Sequence, residues 1–200
     1  VRGYFVQPDG WRAAGLEAAR LSSEVNVRYL PQRVSRLIAA PPRRADGSWL
    51  YSELWTGSKA ISKSEDAVRD GGELVFWAPN IREISETHGE LIRRVGFHAW
   101  PYLFANPDAW RAAPTPALPL TLSVLVKGEA RLESGREIPR IHVRLATAIP
   151  KDECRELNIG YEDPDTVAQE IKTATPNEVE GDRLLVTGAG GVLWRHRADP

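Results

Sequence analysis

Glu73-Leu74-Val75-Phe76-Trp77-Ala78-Pro79-Asn80 is the stretch that decides the fold. Leu74 to Trp77 is an unbroken apolar run, which reads as a strand covered on both faces. Ala78-Pro79 ends it, and Asn80 with Glu83 three residues on has the form of a helix N-cap and capping box. The helix this predicts runs to about Val95, with Ile81, Ile84, His88, Leu91, Ile92 and Val95 on its apolar stripe. Upstream, Val34 to Ala40 is a second apolar run closed by Pro41-Pro42, and Val25, Val27 and Tyr29 alternate as a strand that Pro31 ends. Tyr4-Phe5-Val6 is a short strand, and Asp9-Gly10 opens a helix with Trp11, Ala14, Gly15, Ala18 and Leu21 on one face. Between the two apolar strands a helix is expected from about Glu53 to Asp70, with Leu54, Ile61 and Val68 as its buried stripe. Gly71-Gly72 supplies its stop.

The second half reads differently. Residues 104–119 are proline-rich around one short helix, Pro107 to Ala113, and form an internal connection. Leu120 to Lys127 and Ile138 to Ala146 read as an antiparallel pair across a polar turn, Glu129 to Arg136. Short helices follow near 151–158 and 165–173, and Leu184 to Leu193 reads as a hairpin about Gly188-Ala189-Gly190-Gly191. The expected fold class is therefore α/β. It has three layers: a mixed, mainly parallel sheet, helices on both faces, and an extension by antiparallel strands in the second half. Residues 1–200 are expected to form one domain.

Composition narrows the chemistry. The chain has 200 residues, with 26 Lys+Arg against 27 Asp+Glu for a net charge of −1. That balance argues against a nucleic-acid or anionic-membrane partner. One cysteine excludes a disulfide framework and multi-Cys metal sites, which makes a reducing, cytoplasmic setting the expectation. No apolar stretch approaches the ~18 residues of a membrane span. The chain begins Val1-Arg2-Gly3 and has no methionine, which reads as a fragment of something longer.

In open α/β sheets ligands bind beyond the carboxyl ends of the strands. Two such ends are readable, Ala40-Pro41-Pro42 and Ala78-Pro79-Asn80. On the 53–70 helix, Trp55, Thr56, Lys59 and Lys63 fall on one face, opposite the apolar stripe. Two readings are open for that face: a solvated basic surface, or the wall of a cleft that orients an anion. His88, amid an apolar stripe, reads first as a core residue. Cys154 reads as a packing residue, and no nucleophile elbow, His-x-x-x-His pair or phosphate loop is present.

Three segments together resemble the C-terminal domain of the nickel-dependent lactate racemase family. They are Trp55-Thr56-Gly57-Ser58-Lys59-Ala60, Asp70-Gly71-Gly72-Glu73-Leu74, and Ala78-Pro79-Asn80-Ile81-Arg82-Glu83-Ile84-Ser85-Glu86-Thr87-His88-Gly89. Ile149-Pro150, Cys154, Asn158-Ile159-Gly160-Tyr161, Asp163-Pro164 and Leu184-Leu185-Val186 are similar as well. The resemblance spans most of the chain from about Arg36.

The resemblance implies a two-lobed racemase or epimerase of 2-hydroxy acids that uses a nickel-pincer nucleotide. It places the cofactor-tethering lysine, the nickel histidine and the acid/base histidines in an N-terminal lobe outside this chain. No catalytic residue and no metal ligand is then expected here, and the chain alone is expected to be inactive. Lys59 matches a lysine that binds substrate or cofactor, Thr56 stands where the family has Gln, and Trp55 stands at an aromatic position. Asn80 stands where the family has His, and Asn80 and His88 are expected as cleft or core support. The implied partners are the N-terminal lobe of the same protein, a small 2-hydroxy acid and a further copy of the chain. The alternative is a non-catalytic binding or assembly domain that retains the fold, with the seven tryptophans serving an interface.

Overall fold

A computed structural model describes residues 10–111 and 126–197. Its centre is a six-stranded sheet in the order β7-β6-β3-β2-β9-β8. The two apolar runs form its middle, β2 (Val34–Ala40) and β3 (Val68–Ala78), paired in parallel with Leu37 beside Leu74 and Ala39 beside Phe76. β6 (His142–Thr147) continues the parallel order on one side, followed by β7 (Gly160–Tyr161). β9 (Arg183–Thr187) lies parallel to β2 on the other side, and β8 (Val179–Glu180) adds an antiparallel edge. A separate parallel pair joins β1 (Val27–Leu30) to β10 (Leu193–His196), and a hairpin joins β4 (Ala130–Glu133) to β5 (Arg136–Pro139).

Alternation along the central strands explains the layers. Leu37, Ala39, Leu74, Phe76, Leu145, Leu184 and Val186 face one core, shared with Leu54, Ile61, Ile92, Cys154 and Leu157. Ile38, Ala40, Val75, Ala146 and Leu185 face the other, against Val167 and Ile171 of the helix Pro164–Thr173. Both faces are thus covered, and the mixed α/β class is as the sequence indicates. Asp163 caps that last helix, accepting from Thr166 N at 2.8 Å.

Several boundaries differ from the pattern in the sequence. The helix expected over 53–70 is helical only as α2 (Leu54–Gly57) and α3 (Lys59–Ser62), followed by a 3-10 turn at Glu65–Ala67. β-branched Val68 already belongs to β3, beside Val34. Gly71 (φ +73°) and Gly72 serve a register shift between β2 and β3, not a helix stop. A Cβ on Gly72 would stand 2.8 Å from the Ser35 carbonyl oxygen and 2.9 Å from that of Arg69. Gly72→Ala is therefore expected to destabilise the fold by roughly 1–3 kcal/mol through overpacking against backbone. A denaturant midpoint equal to wild type would contradict that close approach.

Asn80 does not start a helix: the chain from Pro79 to His88 is a loop, and α4 begins at Gly89 (Gly89–Val95). The run Ile138 to Ala146 divides into β5 and β6, and β6 pairs in parallel with β3. Ser134 and Gly135 (φ +49° and +80°) form the hairpin turn of β4 and β5. Leu184 to Leu193 is not a hairpin, because β9 and β10 pair with different strands, β2 and β1.

Helix α1 (Trp11–Asn26) starts where expected but runs on through Val25, which the sequence reads as strand, and none of its residues is buried among the described ones. Further helices are α5 (Trp100–Ala105), α6 (Asp108–Arg111), α7 (Lys151–Glu156) and α8 (Pro164–Thr173). The Tyr4-Phe5-Val6 strand, the rest of the proline-rich connection and residues 120–125 of the expected strand lie outside the described residues. Among the described residues no helix is long and apolar enough to cross a membrane.

Cys154 is fully buried on α7, and burial pushes its thiol up to about 11. The thiolate is the reactive form. The native protein is therefore expected to resist iodoacetamide at pH 8 and to react once unfolded in denaturant. Rapid labelling of the native form would contradict this packing.

Candidate functional site

Parallel pairing brings the carboxyl ends of β2 and β3 together at one edge of the sheet, where α2 and α3 begin. The first N–H groups of a helix need acceptors from outside it. Here the loop after β3 supplies them: Leu54 N donates to Glu83 O and Trp55 N to Ile84 O, both at 2.9 Å. In return Glu86 N donates to a Glu53 carboxylate oxygen at 2.8 Å. Those bonds explain why the Asn80–Glu83 pattern does not start a helix, since the loop's carbonyls cap α2. Asn80 instead donates from Nδ2 to Tyr51 O at 2.8 Å, and its buried Oδ1 has no hydrogen-bond donor among the described residues.

Ser58 separates α2 from α3 yet keeps helical geometry (φ −60°, ψ −18°), and Ser58 N still donates to Leu54 O. The face read from the sequence therefore survives the shorter helices. Trp55 is half-buried against the core, and His88 stands edge-on to it, with ring centroids 5.8 Å apart and planes at 88°. His88 is not on an apolar helix stripe; it is the residue before α4, half-buried, with its N–H on Ser85 Oγ at 3.1 Å. Ser85 is buried and does not stand out in the sequence, although a hydroxyl three residues before the residue that precedes a helix is a local signal for such a bond. Thr56 Oγ1 donates back to Glu53 O at 3.3 Å, so its one donor is used within the turn.

Lys59, at the first position of α3, is exposed and has no ion-pair partner among the described residues. The structure thus brings Trp55 and His88 together, sets Lys59 one helical turn on from Trp55 to complete a ledge, and leaves Thr56 turned to its own backbone. The ledge offers a cation, an aromatic wall and an imidazole. That combination can seat a small anion, with the ammonium on the charge and the tryptophan against an apolar part. Gly190 (φ +97°) closes the ledge from the segment after β9: a Cβ there would lie 3.3 Å from Ala60 N and from Tyr51 Oη. Among the described residues no group of three or more His, Cys, Asp or Glu side chains is placed to hold a metal ion.

No protein-family model matches the chain, and no curated protein matches it. Among solved structures, a protein from Thermotoga maritima is similar over 94% of this chain and 43% of its own, with a TM-score of 0.72 and 26% identity. The lactate racemase apoprotein from Thermoanaerobacterium thermosaccharolyticum is similar over 92% of this chain and 40% of its own, with a TM-score of 0.55 and 13% identity. The likeness to the racemase is one of fold. This chain spans less than half the length of either protein.

Proposed function

We propose that this chain is the cleft-closing, C-terminal lobe of a nickel-pincer-dependent racemase or epimerase of 2-hydroxy acids, cytoplasmic and inactive without its N-terminal lobe. The observation that carries the reading is Lys59, a lysine without an ion-pair partner among the described residues, beside Trp55 at the carboxyl edge of the parallel sheet. The fold likeness to a lactate racemase supports it.

In this reading Lys59 holds the substrate carboxylate, and Trp55 fixes the rest of a small substrate against the ledge. His88 braces the Trp55 ring from its edge. In this reading the chain binds and orients the substrate, and among the described residues no group of three or more His, Cys, Asp or Glu side chains is placed to hold a metal ion. The cofactor, when bound by the other lobe, would supply hydride acceptance and return at the substrate's C2. Thr56, shorter than Gln and bonded to Glu53 O, leaves room beside Lys59 and favours a different 2-hydroxy acid from lactate. The test is interconversion of 2-hydroxy-acid enantiomers by the full-length protein with its cofactor. Equal turnover in wild type and Lys59→Ala would overturn the role of the lysine.

A second reading, an assembly domain, has its own observation. Trp11 is 82% exposed and Leu16 68% on a helix with no fully buried residue among the described ones, and Trp100 stacks on Phe104 at 5.4 Å on α5. Light scattering and nickel analysis of the full-length protein separate the two. A nickel-free protein that associates tightly favours assembly.

A further inference from the structure

The described residues also form depressions away from the Lys59 ledge. Two of them, about 450 and 430 Å³, adjoin through shared walls at Lys127, Pro139 and Asn158. They lie where β6 begins, at His142 to Arg144, between the β4–β5 hairpin and α7. This is the opposite end of the parallel strands from Lys59. Together their size suits a small ligand, for which sites run to ~300–1,000 Å³.

Their walls are built from three distant segments tied by one carboxylate. Glu137 on β5 accepts from Ala99 N, from His98 Nδ1 at 3.2 Å and from Asn158 Nδ2 at 3.1 Å. With the His98 proton on Nδ1, the Asn158 amide hydrogens go to Glu137 and to Phe97 O at 3.0 Å. The His98 ring stacks on Tyr102 with centroids 3.9 Å apart. Asn158, in left-handed geometry (φ +58°), presents its carbonyl to the Lys127 ammonium. The Glu137 side chain is only 9% exposed, and its negative charge is answered by these donors and by the nearby Lys127 ammonium.

The cations are not matched in the same way. Burial pulls the Lys127 ammonium below its ordinary pKa, and Glu137 offsets that only in part. Two of its three donors remain after the bond to Asn158. Arg136 and Lys151 are exposed on the walls and have no ion-pair partner among the described residues. The other basic groups are committed elsewhere: Arg144 is paired with Glu73 at 2.8 Å and Arg155 with Asp152 at 3.2 Å. In a chain of net charge −1, this is a local excess of unmatched positive charge in a concave site.

We propose that this groove binds the phosphate or pyrophosphate group of a small molecule, clasped between Lys127 and Arg136 with Lys151 at the rim. Two charges on the ligand match the two cations without ion-pair partners among the described residues, Arg136 and Lys151, while Lys127 brings its two remaining donors. The guanidinium of Arg136 suits a bidentate grip on a phosphoryl group. Tyr102, Tyr161 and Pro139 give the walls a flat apolar surface for an attached organic part.

The test is isothermal titration of the full-length protein with inorganic pyrophosphate and with ADP at constant ionic strength. Saturable binding of pyrophosphate is expected, weakened tenfold or more in Arg136→Gln and in Lys127→Met. Arg136 is exposed on a hairpin, so its replacement leaves the fold intact, and circular dichroism checks Lys127→Met. Tighter binding of ADP supports a phosphorylated organic ligand; equal binding supports a free anion. Lys59→Ala must leave the affinity unchanged, which keeps this site distinct from the racemase reading. Absence of saturable heat, equal affinity in both groove variants, or loss of binding in Lys59→Ala would overturn the proposal.

Discussion

Arg36→Ala is expected to destabilise the protein by about 3–5 kcal/mol, because it leaves three carboxylates without their shared cation in a mostly buried site. Arg36 sits in the middle strand β2, and its side chain is 14% exposed. It donates from Nε and Nη2 to Glu170 at 3.0 and 2.7 Å, from Nη2 to Glu162 at 2.6 Å and from Nη1 to Glu73 at 3.0 Å. One guanidinium thus joins β2, β3, the turn after β7 and α8. Burial alone would lower its pKa, but its bonds to the Glu162 and Glu170 carboxylates and their negative charges more than reverse that, so the group is held as a cation. Arg36→Lys is expected to recover only part of the loss, since an ammonium cannot grip two carboxylates bidentately.

The same cluster sets an acid limit. Burial pulls the Glu73 pKa up, but Arg144 and Arg36 hold it below the ordinary value of 4.5. A carboxylate depressed in the folded state adds stability above its unfolded pKa and loses it as the pH falls through the folded one. Wild type should therefore lose stability as the pH drops below about 4.5, and Arg36→Ala should show a shallower slope over that window. Urea midpoints from pH 7 to pH 3 provide the check. A change under ~1 kcal/mol for Arg36→Ala would place the cluster among surface pairs of little weight.

Under the proposed function Lys59→Ala carries the largest expected functional effect, a fall in kcat/KM of about 10²-fold in the full-length protein. A hydrogen bond to a charged group contributes ~1.5–3 kcal/mol, and each ~1.4 kcal/mol is tenfold in rate. Lys59 is exposed and unpaired among the described residues, so its replacement removes no internal ion pair of the fold. The loss should fall mainly on KM if the lysine grips the carboxylate equally in ground and transition states. Trp55→Ala, by contrast, removes a half-buried ring packed on the core and on His88, so it should lower both stability and substrate affinity. Unchanged steady-state constants for Lys59→Ala, with an unchanged circular dichroism spectrum, would show that the ledge is solvent-facing surface.

The strands most legible in the sequence are those buried on both faces. Leu37 to Ala40 and Leu74 to Trp77 are continuous apolar runs, and each lies in a central parallel strand. What stays hidden depends on partners far along the chain. Val68 joins a strand because Val34 lies beside it, although its spacing from Leu54 and Ile61 fits a helix. The glycines at 188–191 look like a hairpin turn, but Ala189 N bonds to Ala40 O and the chain crosses to pair with Val27–Leu30. For the ledge, helical spacing is enough to group Trp55 with Lys59, since the backbone stays helical through Ser58. The contact between Trp55 and His88 joins segments far apart in the chain and rests on loop carbonyls capping α2, which no local pattern records. His98, Glu137 and Asn158 are hidden in the sequence for the same reason.

Whether the ledge serves the interconversion of 2-hydroxy acids is measured most directly by chiral chromatography. Single enantiomers of lactate, glycerate, malate and mandelate would each be incubated with the cofactor-loaded, full-length protein and with its Lys59→Ala variant. Wild type is expected to drive the enantiomeric excess of at least one acid to zero, or to an epimer equilibrium, and the variant to do so about a hundredfold more slowly. An enantiomeric excess that stays constant for every acid with wild type, or falls equally fast with the variant, would contradict the role given to this chain.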